Sequence, residues 1–321
     1  MRSSMSFWFL GVLAFAAANA SGAPTPAQLA IPGEKIYPES ITAAADGRVI
    51  IGSIVSRQIF AVPPGAAAAV PWIGADNETS LGIYGVFADD VSNTLWVCFS
   101  SFPGSIKTSQ APSALQAYDL QSGKLKRRYV LPTRGAFCND IAVGPDGTTY
   151  VTDTDNMEID RLKRGDSQLT VWAGNGSFGP KGGVIDGISV VSGRVIVNTL
   201  VTGKIFAVPI NADGNAGPVS AIALSRPILA PDGMRKFGED GVLLVESGGA
   251  GRLSHLVIHG TTGNLTTLKE GFPEGPVSVA VVGTTGYVLE GQLGSLFGPA
   301  QPNQASKPFH ATAVEVGKPS R

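Results

Sequence analysis

Four residues at matching positions of a recurring segment are oxygen donors: Glu39, Asn139, Asp186 and Asp232. Three carboxylates and one amide carbonyl brought to a point form a donor set that a hard divalent cation accepts, calcium foremost. Without an ion, carboxylates so placed repel one another. An Asp or Asn beside Gly also forms turns, so any one of these residues alone could simply open a strand. Four at one repeat phase predict a shared axis, and with it a metal centre. A carboxylate against a cation stays deprotonated, which makes Asp232 the candidate general base or nucleophile. A second set, Ser53, Cys98, Asp153, Asn198, Glu246 and Glu290, follows the opening residues by 12 to 14 positions. Most of these read as strand ends, while Asp153 and Glu246 are expected to hydrogen-bond the ligands from behind. Other catalytic chemistry finds little support. No Gly-x-Ser-x-Gly elbow is present, and His255, His259 and His310 lie outside any triad spacing. His255 and His259 sit among Leu253, Leu256, Val257 and Ile258, a strand pattern that does not turn both rings toward one zinc ion.

Such a cluster needs a scaffold that returns to one axis several times. The clearest unit is Asn139-Asp140-Ile141-Ala142-Val143, then Pro145-Asp146-Gly147, then Thr149-Tyr150-Val151-Thr152-Asp153. It has a polar opening, a short strand, a Gly-bearing turn and a second strand. Related copies open at Glu39, Asp186 and Asp232, and weaker ones at Tyr84 and Val277. The openings at 39, 84, 139, 186, 232 and 277 are 45, 55, 47, 46 and 45 residues apart by subtraction. This period, with several short strands per unit, predicts an all-β fold, a six-bladed β-propeller with four-stranded blades. Residues 58–62, 115–120 and 204–208 read as third strands. Residues 311–316 fall in the last blade, and residues 29–31 supply a closing strand that would remove the exposed edges. Tyr84 and Val277 carry no carboxylate and are expected in the channel wall.

On Pro38-Glu39-Ser40, on Asn139-Asp140 with Pro145-Asp146-Gly147, and above all on Pro231-Asp232-Gly233-Met234, the chain resembles the family of gluconolactonases and senescence marker protein 30. Diisopropyl fluorophosphatases and paraoxonases are related to that family. The resemblance covers essentially the whole chain after its leader. It implies a calcium-dependent hydrolase in which Glu39, Asn139 and Asp232 hold a catalytic calcium that polarises a lactone carbonyl or phosphoryl oxygen. At the remaining ligand position the family's Asn-Gly-Ile stands here as Asp186-Gly187-Ile188, which keeps an oxygen donor and adds a charge. The expected partner is a small-molecule substrate, selected by loops at 99–113 and 172–183. Two other readings remain open. One is a non-catalytic secreted binding propeller tied together by calcium. The other is a strictosidine synthase-like condensing enzyme, which needs a glutamate base in the channel, with Glu246 and Glu290 the candidates.

Composition sets the outer bounds. Of 321 residues 41 are Gly, only 15% are charged, and the formal net charge is −1 with no basic stripe, so neither nucleic acid nor an anionic membrane is an expected partner. Residues 1–20 read as a signal peptide: Arg2, an apolar run from Phe7 to Phe15, then Ala18 and Ala20 before cleavage. That run is shorter than the ~20 residues that span a bilayer, and no later run is longer without interruption. The expected product is one domain, 21–321, exported to an extracellular or periplasmic space. There Cys98 and Cys138 can pair, since the repeat phase puts Cys98 near the start of the next blade, where Cys138 precedes Asn139. Oligomeric state is not encoded in any of these features.

Overall fold

Bursts of Val, Ile, Leu and Thr four to nine residues long, separated by Asp-, Asn-, Ser- and Gly-bearing turns, fold as antiparallel hairpins. The computed structural model describes residues 25–75, 80–101, 111–174, 176–297 and 308–319; the expected signal peptide lies outside them. Strand β1 is Gln28–Ile31. The first blade is β2 (Pro38–Ala43), β3 (Val49–Ser53), β4 (Ile59–Val62) and β5 (Val70–Ile73). The second is β6 (Gly82–Asp89), β7 (Thr94–Ser100), β8 (Ala114–Asp119) and β9 (Leu125–Val130). The third is β10 (Cys138–Val143), β11 (Thr149–Asp153), β12 (Glu158–Leu162) and β13 (Thr170–Ala173). The fourth is β14 (Ile185–Val191), β15 (Arg194–Thr199), β16 (Lys204–Pro209) and β17 (Ser220–Ala221). In the fifth, a short β18 (Ala223–Leu224) lies parallel to the outer strand of β19 (Pro231–Lys236), β20 (Gly241–Glu246), β21 (Arg252–His259) and β22 (Thr262–Glu270), so this blade has five strands. The sixth joins β23 (Pro276–Val282), β24 (Thr285–Glu290) and β25 (Phe309–Glu315) to β1, the closing strand, in the register Gln28 with Thr312 and Ile31 with Phe309. A single short helix, α1 (Leu293–Phe297), stands among the described residues.

The sheets are buried on both faces, which explains why the second strands of the blades run mostly apolar instead of alternating. Each core cluster therefore lies between blades: Ile188, Val195, Val197 and Phe206 of the fourth blade pack against Tyr150 and Ile159 of the third. Inner strands β2, β6, β10, β14, β19 and β23 touch in that order around the ring, and β23 returns to β2. The second and third blades are also joined covalently, through the disulfide between Cys98 on β7 and Cys138 on β10 (Cα–Cα 5.1 Å). Its placement beside Asn139 fixes the entry to one inner strand.

Candidate metal centre

Each of the six inner strands carries a β-bulge, and each bulge falls at the opening residue. The registers break between Pro38 and Ser40, Ile83 and Val86, Cys138 and Ile141, Ile185 and Ile188, Pro231 and Met234, and Pro276 and Ser278. A bulge puts an extra residue opposite one partner and re-aims its side chain. Glu39, Tyr84, Asn139, Asp186, Asp232 and Val277 consequently all line one cavity of about 1460 Å³ at the channel mouth. Two residues before three of them the backbone turns left-handed, at Tyr37 (φ 45°), Val184 (φ 57°) and Ala230 (φ 46°). For a β-branched residue such as Val184 that conformation is strained, and it persists because the surrounding blade fixes it.

The residue after each opening lies against the next inner strand. A Cβ on Gly85 would sit 2.3 Å from the Asn139 carbonyl oxygen, and one on Gly187 would sit 2.4 Å from that of Asp232. Only glycine permits this approach. The Asp232 carbonyl also accepts a 2.6 Å hydrogen bond from Asn198 Nδ2.

Carboxylate oxygens of Glu39, Asp186 and Asp232 lie within 4.8 Å of one another, all buried. Asn139 completes the group: its Nδ2 donates to Thr154 Oγ1 at 3.0 Å, and Thr154 in turn donates to the Ile185 carbonyl at 2.6 Å. That arrangement commits the amide nitrogen, whereas Asn139 Oδ1 and Asp186 Oδ1 are buried without a hydrogen-bond partner. Buried acceptors rarely go unsatisfied, so this set fits a bound divalent cation with oxygen preference. The electrostatics agree. Burial, reinforced by the charge of Asp186, holds Glu39 and Asp232 well above the usual carboxylate range. Burial also pushes Asp186 up to about 8, helped by the charge of Asp140 and opposed by Asn139.

One step further along the inner strands, Asp140 and Arg235 form a buried ion pair at 2.9 Å. Neither had a role assigned from the sequence. The Arg235 guanidinium also donates to Met234 O at 2.7 Å, Ser40 Oγ at 3.1 Å, Val86 O at 3.3 Å and Ile41 O at 3.4 Å. Asp140 accepts from the Ile188 amide at 3.3 Å.

In the second set Ser53, Asp153, Glu246 and Glu290 end their strands, but Asp153 and Glu246 bond differently from expectation. Asp153 accepts from the Phe137 amide (2.9 Å) and Asn156 Nδ2 (2.8 Å), and Glu246 accepts from the Leu229 amide (3.2 Å), Ser254 Oγ (2.7 Å) and Arg226. Neither is seen to bond a ligand side chain. They fasten the backbone two or three residues ahead of Asn139 and Asp232, and Glu290 does the same for the Glu274 amide at 3.2 Å. Glu246 and Glu290 are absent from the cavity lining, and Glu290 is paired with His310 Nε2 at 3.1 Å.

The loops around the cavity also differ from expectation. Ser101, Ala111, Pro112 and Ser113 contribute from the first expected loop, while its residues 102–110 lie outside the described ones. Of the described residues in the second, 172–183, none lines the cavity. Its aromatic residues are used for packing instead: Phe178 meets Phe206 edge-on at 5.6 Å and Trp172 meets Tyr150 at 4.8 Å. The wall comes instead from Leu131 to Phe137, from Pro273 to Gly275 and from the segment that includes Leu293 and Phe297 of α1.

Comparison with family models and with curated proteins found no match. Among solved structures, the chain is similar to the major Malassezia sympodialis allergen Mala s 1, with a TM-score of 0.69, 12% identity and coverage of 91% of this chain and 96% of that one. It is similar to the luciferin-regenerating enzyme, with a TM-score of 0.64, 11% identity and coverage of 88% and 91%. A gluconolactonase of Xanthomonas campestris gives a TM-score of 0.60 at 14% identity, over 88% of this chain and 87% of that one. At these identities the likeness establishes the fold, a β-propeller shared by proteins of several kinds.

Proposed function

We propose that the protein is a calcium-dependent hydrolase that opens a lactone or a related ester at the mouth of its channel. The observation that carries this reading is the convergence of Glu39, Asp186 and Asp232 oxygens within 4.8 Å at the floor of a large cavity, beside the unpartnered Asn139 Oδ1. A gluconolactonase and the luciferin-regenerating enzyme among its structural neighbours support it. A calcium ion held there would polarise the ester carbonyl and offset the negative charge that grows during attack. The chain's own residues do the remainder. Asp232 keeps one oxygen on the Gly233 amide at 2.9 Å, leaving the other to take a proton from water or to attack the carbonyl directly. Ile54, Leu131, Phe137, Leu293 and Phe297 give the organic part of a substrate an apolar wall. Export from the cytosol is part of the same proposal, supported by the Cys98–Cys138 disulfide.

A condensing enzyme built on a channel glutamate is disfavoured, because Glu246 is fully buried on Arg226 and Ser254 away from the cavity. The deciding assay is lactone hydrolysis by the purified protein with calcium, after chelation and after calcium is restored, alongside Asp232→Ala. Activity restored by calcium and absent from the variant is the expected result. A folded, calcium-loaded protein inert across lactones, aryl esters and organophosphates would instead be a binding propeller. Oxygen-18 found in Asp232 after a single turnover in labelled water identifies direct attack, and unlabelled Asp232 identifies activation of water.

A further inference from the structure

Arg235, on inner strand β19, is 9% exposed and is hydrogen-bonded to three other inner strands. Its contacts are placed with respect to the metal centre. Ser40 follows Glu39, Asp140 follows Asn139, Val86 lies two residues beyond Tyr84, and Arg235 itself lies three beyond Asp232. Through Asp140, the pair also holds the amide of Ile188, two residues beyond Asp186. One ion pair thus reaches β2, β6, β10, β14 and β19, five of the six inner strands, each within a few residues of its opening side chain. The planar guanidinium suits this task, since its donors point in fixed directions to several strands at once, which a lysine ammonium cannot match. Ser40 Oγ adds a strand-to-strand link of its own by accepting from the Val86 amide at 3.1 Å.

We propose that Arg235, with Asp140, is a positioning residue for the metal centre: it fixes the separations of Glu39, Asn139, Asp186 and Asp232 from below, so that the ligands stand in place before an ion arrives. The proposal rests on the reading of this cluster as a calcium site. It distinguishes two jobs that a bound ion is often given together. Arg235 ties the inner strands, and the ion is left to the chemistry, so the fold should survive chelation.

The test measures calcium affinity by titration calorimetry and melting temperature separately, on the whole protein. Arg235→Lys keeps the charge and loses the fork; Leu256→Ala, in a fully buried outer position of the fifth blade, supplies a variant destabilised for unrelated reasons. Arg235→Lys should remain folded and bind calcium at least tenfold more weakly, whereas Leu256→Ala should melt earlier with unchanged affinity. Native affinity in Arg235→Lys, or an equal loss of affinity in Leu256→Ala, overturns the positioning role alone. Wild-type protein that binds no calcium overturns this role together with the proposed activity, and wild-type protein that unfolds on chelation overturns the division of labour.

Discussion

Replacing Asp186 by asparagine changes one side-chain oxygen to an amide nitrogen and removes one of three carboxyl groups whose oxygens lie within 4.8 Å of one another. Without metal, burial and mutual repulsion oppose ionisation of these carboxyls, so Asp186→Asn should raise the melting temperature of the calcium-free protein while weakening calcium binding by tenfold or more, both readable by a melt with and without calcium. A second carboxyl poses a separate problem. Asp160 on β12 is fully buried, both its oxygens lack partners, and burial pushes it up to about 8, with Asp153 and Glu158 adding to the effect. A carboxyl that holds its proton in the folded state and loses it near 3.8 when unfolded contributes stability that is fully present at low pH. That contribution declines as pH rises through the interval between the two values and is gone above about 8. Asp160→Asn mimics the protonated form. It should match the wild type near pH 4 and exceed it by a margin that widens with pH up to about 8 in urea unfolding.

At the scale of strands, the site is made by six bulges at one phase and by the glycines that let neighbouring bulges touch. Gly187→Ala would press a methyl group against the Asp232 carbonyl, at 2.4 Å, and against Asn198 Nδ2, at 2.9 Å. The backbone must yield, so the substitution should cost about 2 kcal/mol or more in denaturant and reduce turnover beyond what that loss explains. Much of this frame was legible beforehand. The repeat of polar opening, strand, Gly turn and strand located all six inner strands, because a blade can bury its faces only against copies of itself. Asn139 was readable as a donor, but Thr154, which commits its amide nitrogen, was not, since that contact depends on how a turn after β11 lies across the start of β14. Arg235 was invisible for a related reason: a charged residue in a strand reads as solvent-facing until the ring is closed and its bonds to three other inner strands are seen. Asp153 and Glu246 were located correctly as strand ends, yet their oxygens are taken by backbone amides of the entering loops, a local demand that sequence spacing does not reveal. The aromatic residues of 172–183 looked like a substrate wall because packing between blades and lining a cavity draw on the same residue types.

For the molecule as a whole, closure rests on β1. Its Leu29 and Ile31 are each 2% exposed, and its backbone pairs along β25. Deleting residues 25–31 removes two buried aliphatic side chains, about 1.5–3 kcal/mol each, and leaves β25 as an open edge. The shortened protein should melt earlier and self-associate, which light scattering after gel filtration would show; an unchanged monomer with native melting would place the closing energy elsewhere. The fully buried apolar interfaces between blades carry the rest of the ring, and they are indifferent to where along the chain each blade is encoded.

That pairing brings the two ends of the propeller within reach of one another: the Ala313 amide donates to the Ala27 carbonyl at 2.9 Å. Strand order around the axis is therefore circular even though the polypeptide is linear. A chain rejoined by a short linker from the end of β25 to the start of β1, and opened instead between the exposed Ala212 and Asp213, would encode the same ring from a different starting blade. The oxygen donors would then occur along the chain in the order Asp232, Glu39, Asn139 and Asp186, yet would meet at the same mouth.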